Sequence, residues 1–176
     1  ISAGSIRAYA TSLHRKGQLQ DAAAMYEWGI PASNPTDDFR DWETGVMLAD
    51  LAVIYLEMGD VENAARAIKR ARPVAAYVHP EWPEVMSRYL GAEALLAKAR
   101  GDLERAEDVA RRGVNFSWSE QYAYARDVTF NLEVLSEVLD AKGDAEGAER
   151  ARQQAAAFGG GLTKQDYLDT YGEPAL

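Results

Sequence analysis

Residues 48–73 read LADLAVIYLEMGDVENAARAIKRARP and predict two amphipathic helices joined by a tight turn at Gly59. Leu51 and Tyr55 lie four residues apart before the turn, and small or apolar residues recur at helical intervals after it. A glycine at this position ends a helix, because it adopts the left-handed backbone conformation without steric strain. The stretch therefore predicts a helical hairpin.

The same hairpin pattern occurs four times at constant spacing. Its turn glycines are Gly17, Gly59, Gly101 and Gly143, and each lies 42 residues after the previous one. A fixed period of this kind is the signature of a repeat array, in which neighbouring units bury a continuous core. We therefore predict an all-α fold of four helical hairpins.

The four repeats are predicted at about residues 1–34, 35–78, 79–116 and 117–158, since helix-breaking residues and helix caps separate the hairpins there. Because the chain begins at Ile1 without a methionine, we expect it to be a piece of a longer protein.

Helix lengths follow from the breakers and caps within each repeat. The first helix of the second repeat is predicted to run from Asp37 to Met58, about 22 residues. The second helix is predicted over about Val61 to Arg72, and residues 73–80 are interpreted as the end of this helix and a loop, although their residue types also fit a strand. Ser117 or Ser119 is predicted to cap the first helix of the fourth repeat, which makes the first helices the long ones.

Residues 159–176 follow the repeats as a Gly-rich linker and a tail. Thr163 and Asp166 resemble a capping box, so Lys164 to Tyr171 is predicted to form one short helix. Two roles stay open for this helix. It covers the apolar end of the fourth hairpin, as a solenoid requires, or it mediates self-association.

Composition argues against several classes of partner. The chain has 28 acidic and 19 basic side chains and a net charge of −9, so we expect no nucleic acid partner. It has no cysteine, which fits a cytoplasmic location, with the periplasm as the alternative. No apolar run is long enough to span a bilayer, and we expect no membrane partner.

No pattern of a catalytic, metal or cofactor site is present in the sequence. His14 and His79 are far apart and lack partners at metal-ligand spacing. Glycine patterns for phosphate or dinucleotide binding and the nucleophile elbow are missing. The carboxylates Glu133, Glu137 and Asp140 share one helical face, which we interpret as solvated. We therefore expect no enzyme, no metal and no cofactor.

Residues at set offsets from the turn glycines carry a family resemblance. In the second repeat these residues are Leu48, Leu51, Ala52, Tyr55, Ala64, Ile68, Ala71 and Pro73. With them, residues 5–158 resemble the tetratricopeptide repeat (TPR) family, although the third repeat has Ala97 where the family has tyrosine. The period of 42 exceeds the family's usual 34. We expect the extra residues to lengthen each first helix by about two turns.

The resemblance implies a right-handed α-solenoid whose first helices line a concave groove. By resemblance and helical phase, the partner-binding residues of this groove are Arg7, Thr11, His14, Trp42, Val46, Asp50, Val53, Glu57, Arg88, Leu95, Lys98, Arg126, Phe130, Glu133, Glu137 and Asp140. Cations dominate in the first and third repeats and carboxylates in the fourth. A groove that is basic at one end and acidic at the other would orient a bound peptide.

One TPR subtype grips the C-terminal carboxylate of a peptide with lysine, asparagine and arginine side chains. The matching positions here hold Arg7, Thr11, Asp50, Arg88 and Ala92. Because Asp50 would repel a carboxylate, we do not expect this mode of binding.

The aromatic residues expected at the starts of the first helices have two readings, packing of the helix extensions or contact with a partner. They are Trp42, Trp82, Trp118, Tyr122 and Tyr124, and Trp42 is the leading candidate for partner contact.

The leading functional hypothesis is a non-catalytic protein–protein interaction module that binds a partner peptide or helix, free-standing or within a larger regulator. The alternatives are a homo-oligomeric structural scaffold and a small-ligand sensor.

Overall fold

Each turn glycine ends a helix in the computed structural model of the chain. Gly17, Gly59, Gly101 and Gly143 have φ angles of 73°, 79°, 79° and 87°. The residue after each glycine donates its backbone N–H to the carbonyl five residues earlier, at 2.8 to 3.0 Å. This is the Schellman motif, and it satisfies carbonyls that the helix end leaves unpaired. The predicted positions of the four turns are confirmed.

An aspartate that follows the glycine starts the next helix in three of the four turns. Asp60, Asp102 and Asp144 each accept a hydrogen bond from the backbone N–H three residues later, at 3.1, 3.2 and 2.9 Å. The same residue therefore completes one helix end and caps the next helix. Gln18, at the equivalent position of the first turn, makes no side-chain cap.

The structure describes residues 2–79, 81–119, 125–160 and 164–171. All regular elements in these ranges are helices, and the fold class is all-α. The helices are α1 (Ala3–Arg15), α2 (Leu19–Ser33), α3 (Trp42–Glu57), α4 (Val61–Val78), α5 (Pro83–Ala99), α6 (Leu103–Ser119), α7 (Ala125–Lys142), α8 (Ala145–Gly159) and α9 (Lys164–Tyr171). In the same ranges, no helix combines the length and apolarity needed to cross a bilayer.

The chain divides into two units, residues 1–92 and residues 93–176, and the division falls inside α5. In the first unit α1 packs on α2 and α3 packs on α4, while α3 also contacts α1 and α2. In the second unit α7 packs on α8 and on α6. The pairs α1–α2, α3–α4 and α7–α8 therefore form three of the four predicted hairpins, and the pairing of α5 with α6 stays a prediction.

Small residues allow the helices of each hairpin to approach closely. Ala22, Ala52, Ala64, Ala106 and Ala148 are all fully buried. Larger apolar side chains fill the space between these contacts, and the fully buried ones include Tyr26, Met47, Leu48, Ile54, Leu132 and Val138.

The prediction that the extra residues lengthen the first helices is wrong in the second repeat. Helix α3 begins at Trp42 and has 16 residues. Asp41 caps it by accepting the backbone N–H of Thr44 at 3.2 Å. Asp37, predicted as the helix start, lies in the preceding loop with a φ of 51°. The long helix of this repeat is α4, with 18 residues.

Helix α4 continues through Pro73 to Val78, where the sequence predicted a loop. Val74, Ala75 and Val78 are 3%, 0% and 5% exposed. Burial of these side chains offsets the backbone hydrogen bond that the proline cannot donate. Tertiary packing therefore overrides the local helix-breaking signal.

Helix α6 continues to Ser119. Ser117 therefore lies inside α6, and the prediction that Ser117 caps α7 is wrong. The alternative cap, Ser119, directly precedes residues outside the described ranges and stays a prediction. Trp118 belongs to the same last turn and packs edge-on against Phe158 of α8, with ring centroids 5.4 Å apart. The predicted aromatic residues Tyr122 and Tyr124 lie outside the described residues.

The predicted tail helix is confirmed as α9, from Lys164 to Tyr171. Its predicted cap residue Thr163 lies outside the described residues, as do the side chains of Tyr167 and Tyr171. The two roles considered for this helix, capping and self-association, stay predictions.

Candidate interaction surfaces

The predicted groove residues of the first unit meet on one surface, which we call the α1–α3 face. At one edge, the guanidinium of Arg7 lies 5.5 Å from the ring centroid of Trp42. Trp42 in turn stacks on Trp82, with centroids 4.4 Å apart and planes 5° apart. A cation held on the face of an aromatic ring is attracted by the ring quadrupole. The three side chains therefore form a fixed stack, and Trp82 remains 42% exposed at its end.

Asp50 lies at the centre of this face and joins three helices. It accepts a hydrogen bond from the hydroxyl of Tyr26 at 3.3 Å and one from Arg88 at 3.4 Å. Burial raises the pKa of Tyr26, and the Asp50 charge raises it further, while Thr11 acts in the opposite direction through a hydrogen bond. The tyrosine therefore remains a neutral donor to Asp50 at physiological pH.

His14 and Glu57 close the other edge of the α1–α3 face. The imidazole Nε2 lies 2.7 Å from the Glu57 carboxylate, although the two residues are 43 positions apart in sequence. The hydrogen bond to Glu57 raises the pKa of His14 above its usual value near 6.5, and burial partly opposes this effect. The pair therefore becomes a true ion pair as the imidazole takes up a proton.

The raised pKa of His14 predicts a pH-dependent contribution to stability. This contribution is fully present below the pKa of histidine in the unfolded chain, and it is lost as the pH rises through the folded-state pKa. Replacement His14→Gln should therefore lower the free energy of unfolding by about 0.5 kcal/mol more at about pH 5.5 than at about pH 8.5, since both side chains are partly exposed. Urea denaturation at the two pH values measures this difference. In a Glu57→Gln background the larger loss at low pH should disappear or change sign, because burial then acts on the His14 pKa without the opposing hydrogen bond. A larger loss at low pH that persists in this background would contradict the assignment.

Three further predicted groove residues of the first unit differ in how exposed they are. Thr11 and Val53 are half-buried. Val46 is 1% exposed, so it belongs to the core and is removed from the candidate surface. One helical turn separates Val46 from Asp50, and helical phase alone did not show that the neighbouring helices cover it.

The arrangement around Asp50 also bears on the carboxylate-binding mode. Arg88, which would have to hold a peptide carboxylate, already contacts Asp50. Ala92 is fully buried. That the chain does not bind in this mode stays a prediction.

The predicted groove residues of the second unit lie on α5 and α7, and we call this surface the α5–α7 face. Lys98 pairs with Glu137 at 2.9 Å, and Arg152 of α8 pairs with Asp140 at 2.5 Å. Two of the three predicted carboxylates therefore have cationic partners. Glu133 differs, because burial and the neighbouring Glu137 charge both raise its pKa.

The remaining predicted residues of the second unit complete this face. Leu95 and Phe130 are half-buried, and Arg126 is exposed beside Asp127, with 3.8 Å between Nε and the carboxylate. The predicted order of charge along the chain, from basic to acidic, stays a prediction.

The sequence did not indicate some of the residues that build the α1–α3 face. Tyr26 belongs to α2 and was not among the predicted groove residues. Trp82 precedes α5, and packing of a helix extension and contact with a partner were both open for it. Its stacking on Trp42 follows from the packing of different helices, for which no local signal exists.

Among the described residues, no group of three or more histidine, cysteine, aspartate or glutamate side chains is placed to hold a metal ion.

Among solved structures, the chain is similar to the crystal structure of BtubC (BKLC) from P. vanneervenii, with a TM-score of 0.64 and 17% sequence identity. The likeness covers 99% of this chain and 66% of that protein, so this chain spans just under two thirds of its length. At this identity the likeness concerns the fold alone. No protein-family model and no curated protein sequence matches the chain.

Proposed function

We propose that this chain is a non-catalytic protein–protein interaction module built as a right-handed solenoid of four TPR-like hairpins. Its first helices bind a peptide or helix of a partner protein. The observation that carries this proposal is the α1–α3 face, on which aromatic and charged side chains are held by mutual contacts while remaining partly exposed.

The physical basis is preorganisation. A binding surface whose side chains are already ordered loses little conformational entropy when a partner arrives. Stacking fixes Arg7, Trp42 and Trp82, and hydrogen bonds fix Asp50. Tryptophan and arginine are also the residue types that contribute most often to binding energy at protein interfaces.

Affinity capture with the intact chain from a lysate of its native host tests the proposal. Retained proteins are compared for the wild type, for Arg7→Glu on the α1–α3 face and for Glu133→Lys with Glu137→Lys on the α5–α7 face. We expect one or both changes to reduce capture of a specific protein by about tenfold, since opposed charge raises dissociation and slows encounter. Circular dichroism checks that each variant keeps its helix content.

The matched control is Arg112→Glu. Arg112 is an exposed cation of α6, outside both candidate faces, and forms no ion pair among the described residues. If Arg112→Glu lowers capture as much as the face variants do, the loss reflects net charge alone. This result would contradict the proposal. Retention of the same proteins by every variant would contradict it as well.

The two alternative hypotheses have separate measurements. A homo-oligomeric scaffold predicts a sedimentation coefficient that rises with protein concentration. A small-ligand sensor predicts a melting temperature that rises with a particular metabolite.

A further inference from the structure

A pocket lies in the first unit beside α4, away from the residues of the α1–α3 face. It has a volume of about 470 Å³. Its floor and apolar wall include Leu48, Val74 and Pro73, and its rim carries Arg66, Lys69 and Arg70. We call it the α4 pocket. Its volume lies in the range of pockets that accept a large side chain.

Two exposed aromatic residues stand at the mouth of the α4 pocket. Phe39, which lines it, is 49% exposed and contacts Tyr77 edge-on, with ring centroids 5.0 Å apart. Tyr77 is 57% exposed. Both side chains owe their position to the continuation of α4 beyond Pro73, which the sequence did not predict. Clustered exposed apolar surface of this kind marks interaction sites more often than isolated apolar residues do.

The carboxylates at the α4 pocket are already neutralised. Asp37 pairs with Arg70 at 2.9 Å, and Asp38 pairs with Arg40 at 2.8 Å. Their charges therefore do not repel an acidic partner as isolated carboxylates would.

Two cations of the rim form no ion pair within the described residues, although Arg66 lies near enough to Asp60 to help lower the pKa of that carboxyl. Lys69 makes no hydrogen bond or ion pair within the described residues, and Arg66 donates to the neutral amide oxygen of Asn63. The charge left unbalanced at the pocket is therefore positive, although the chain as a whole carries −9. Such a local excess attracts carboxylates.

A second depression of about 340 Å³ adjoins the α4 pocket, and Leu48, Arg66 and Arg70 line both. In this second depression Glu27 accepts a hydrogen bond from the neutral hydroxyl of Tyr55 and keeps its negative charge, so the positive excess belongs to the α4 pocket and not to this depression.

We propose that the α4 pocket binds an acidic segment of a partner protein. One large apolar side chain of this segment enters between Phe39 and Pro73, above Leu48 and Val74. Carboxylates on either side of it pair with Lys69 and Arg66. This second binding site uses residues other than those of the proposed function, and it can be tested separately.

Selection of displayed random peptides with the intact chain tests this inference. Peptides that bind should be enriched in one large apolar residue flanked by aspartate or glutamate. Their affinity, measured by fluorescence anisotropy, should fall about fivefold or more with Lys69→Glu, and it should fall as the salt concentration rises. Phe39→Ala removes the apolar wall without reversing charge, and it should weaken the same peptides.

Two control variants make the outcome specific. Arg112→Glu reverses the charge of a comparable exposed cation on α6, and this substitution should leave the affinity of these peptides unchanged. Arg7→Glu alters only the α1–α3 face, and this substitution should also leave the affinity of these peptides unchanged. Circular dichroism of each variant confirms that the helices remain.

Three results would overturn the inference. The first is selection without enrichment of acidic residues, and the second is binding that Lys69→Glu does not alter. The third is a concentration-dependent dimer that Lys69→Glu abolishes, because the occupant would then be a second copy of the chain. Peptides weakened by Arg7→Glu but not by Lys69→Glu would leave the proposed function standing and remove only this inference.

Discussion

Replacement Trp118→Ala is expected to lower the free energy of unfolding by about 3 to 5 kcal/mol, the usual cost of truncating a buried aromatic residue. Trp118 is 7% exposed at the end of α6 and packs edge-on against Phe158, itself 4% exposed, at the end of α8. The substitution leaves a cavity between two helix ends and removes the edge-to-face contact with Phe158. Urea denaturation followed by far-UV circular dichroism measures the loss.

The matched control is Trp28→Ala in α2, because Trp28 is 51% exposed. Its truncation should change the free energy of unfolding by less than about 1 kcal/mol. Trp118→Phe should recover much of the loss, since a smaller ring still meets Phe158. Equal effects of the two alanine substitutions would show that Trp118 does not hold the ends of α6 and α8 together.

Replacement Gly45→Leu is expected to destabilise the first unit by about 3 kcal/mol, the upper end of the usual cost of overpacking a core. A Cβ atom at Gly45 would lie 2.6 Å from a methyl carbon of Val85 and 2.7 Å from one of Val74. Both valines are buried and branched, so neither side chain can rotate away without a new clash. The glycine therefore sets how closely α3 approaches α4 and α5.

The control for this prediction is Gly4→Leu in α1. A Cβ atom at Gly4 meets only side-chain oxygens, at 3.8 Å and 3.9 Å. The substitution should leave stability unchanged or raise it by up to about 1 kcal/mol, because leucine favours the helix more than glycine does. Thermal unfolding of both variants gives the comparison. A Gly45→Leu protein as stable as Gly4→Leu would mean that the packing of α3 against Val74 and Val85 is loose.

Helix boundaries show where local signals are sufficient. The four turns could be predicted, because each depends on a glycine with positive φ and on the few residues beside it. The ends of α4 and α6 could not. Pro73 and Ser117 carry local signals for a helix break or start, but burial of the following residues outweighs those signals.

On the candidate surfaces, too, features within one helix could be predicted and contacts between helices could not. Helical phase correctly identified Asp50 and Glu57 as partly exposed residues of α3, because phase depends only on position within one helix. It could not show that Glu57 would meet His14 or that Asp50 would meet Tyr26 and Arg88. Those contacts join residues from different helices. The α4 pocket was not predicted either, since the loop bearing Phe39 and the last turns of α4 form it together.

By itself, the sequence determined that this protein is an all-α chain of helical hairpins with turns at four glycines. Local backbone geometry and helical periodicity are sufficient for that result. The tertiary structure alone decided how far the second helices extend, which predicted surface residues are buried and where an apolar pocket with a cationic rim lies. These three features depend on how much surface is buried when helices distant in sequence pack together. The residue pattern of a single segment does not contain that information.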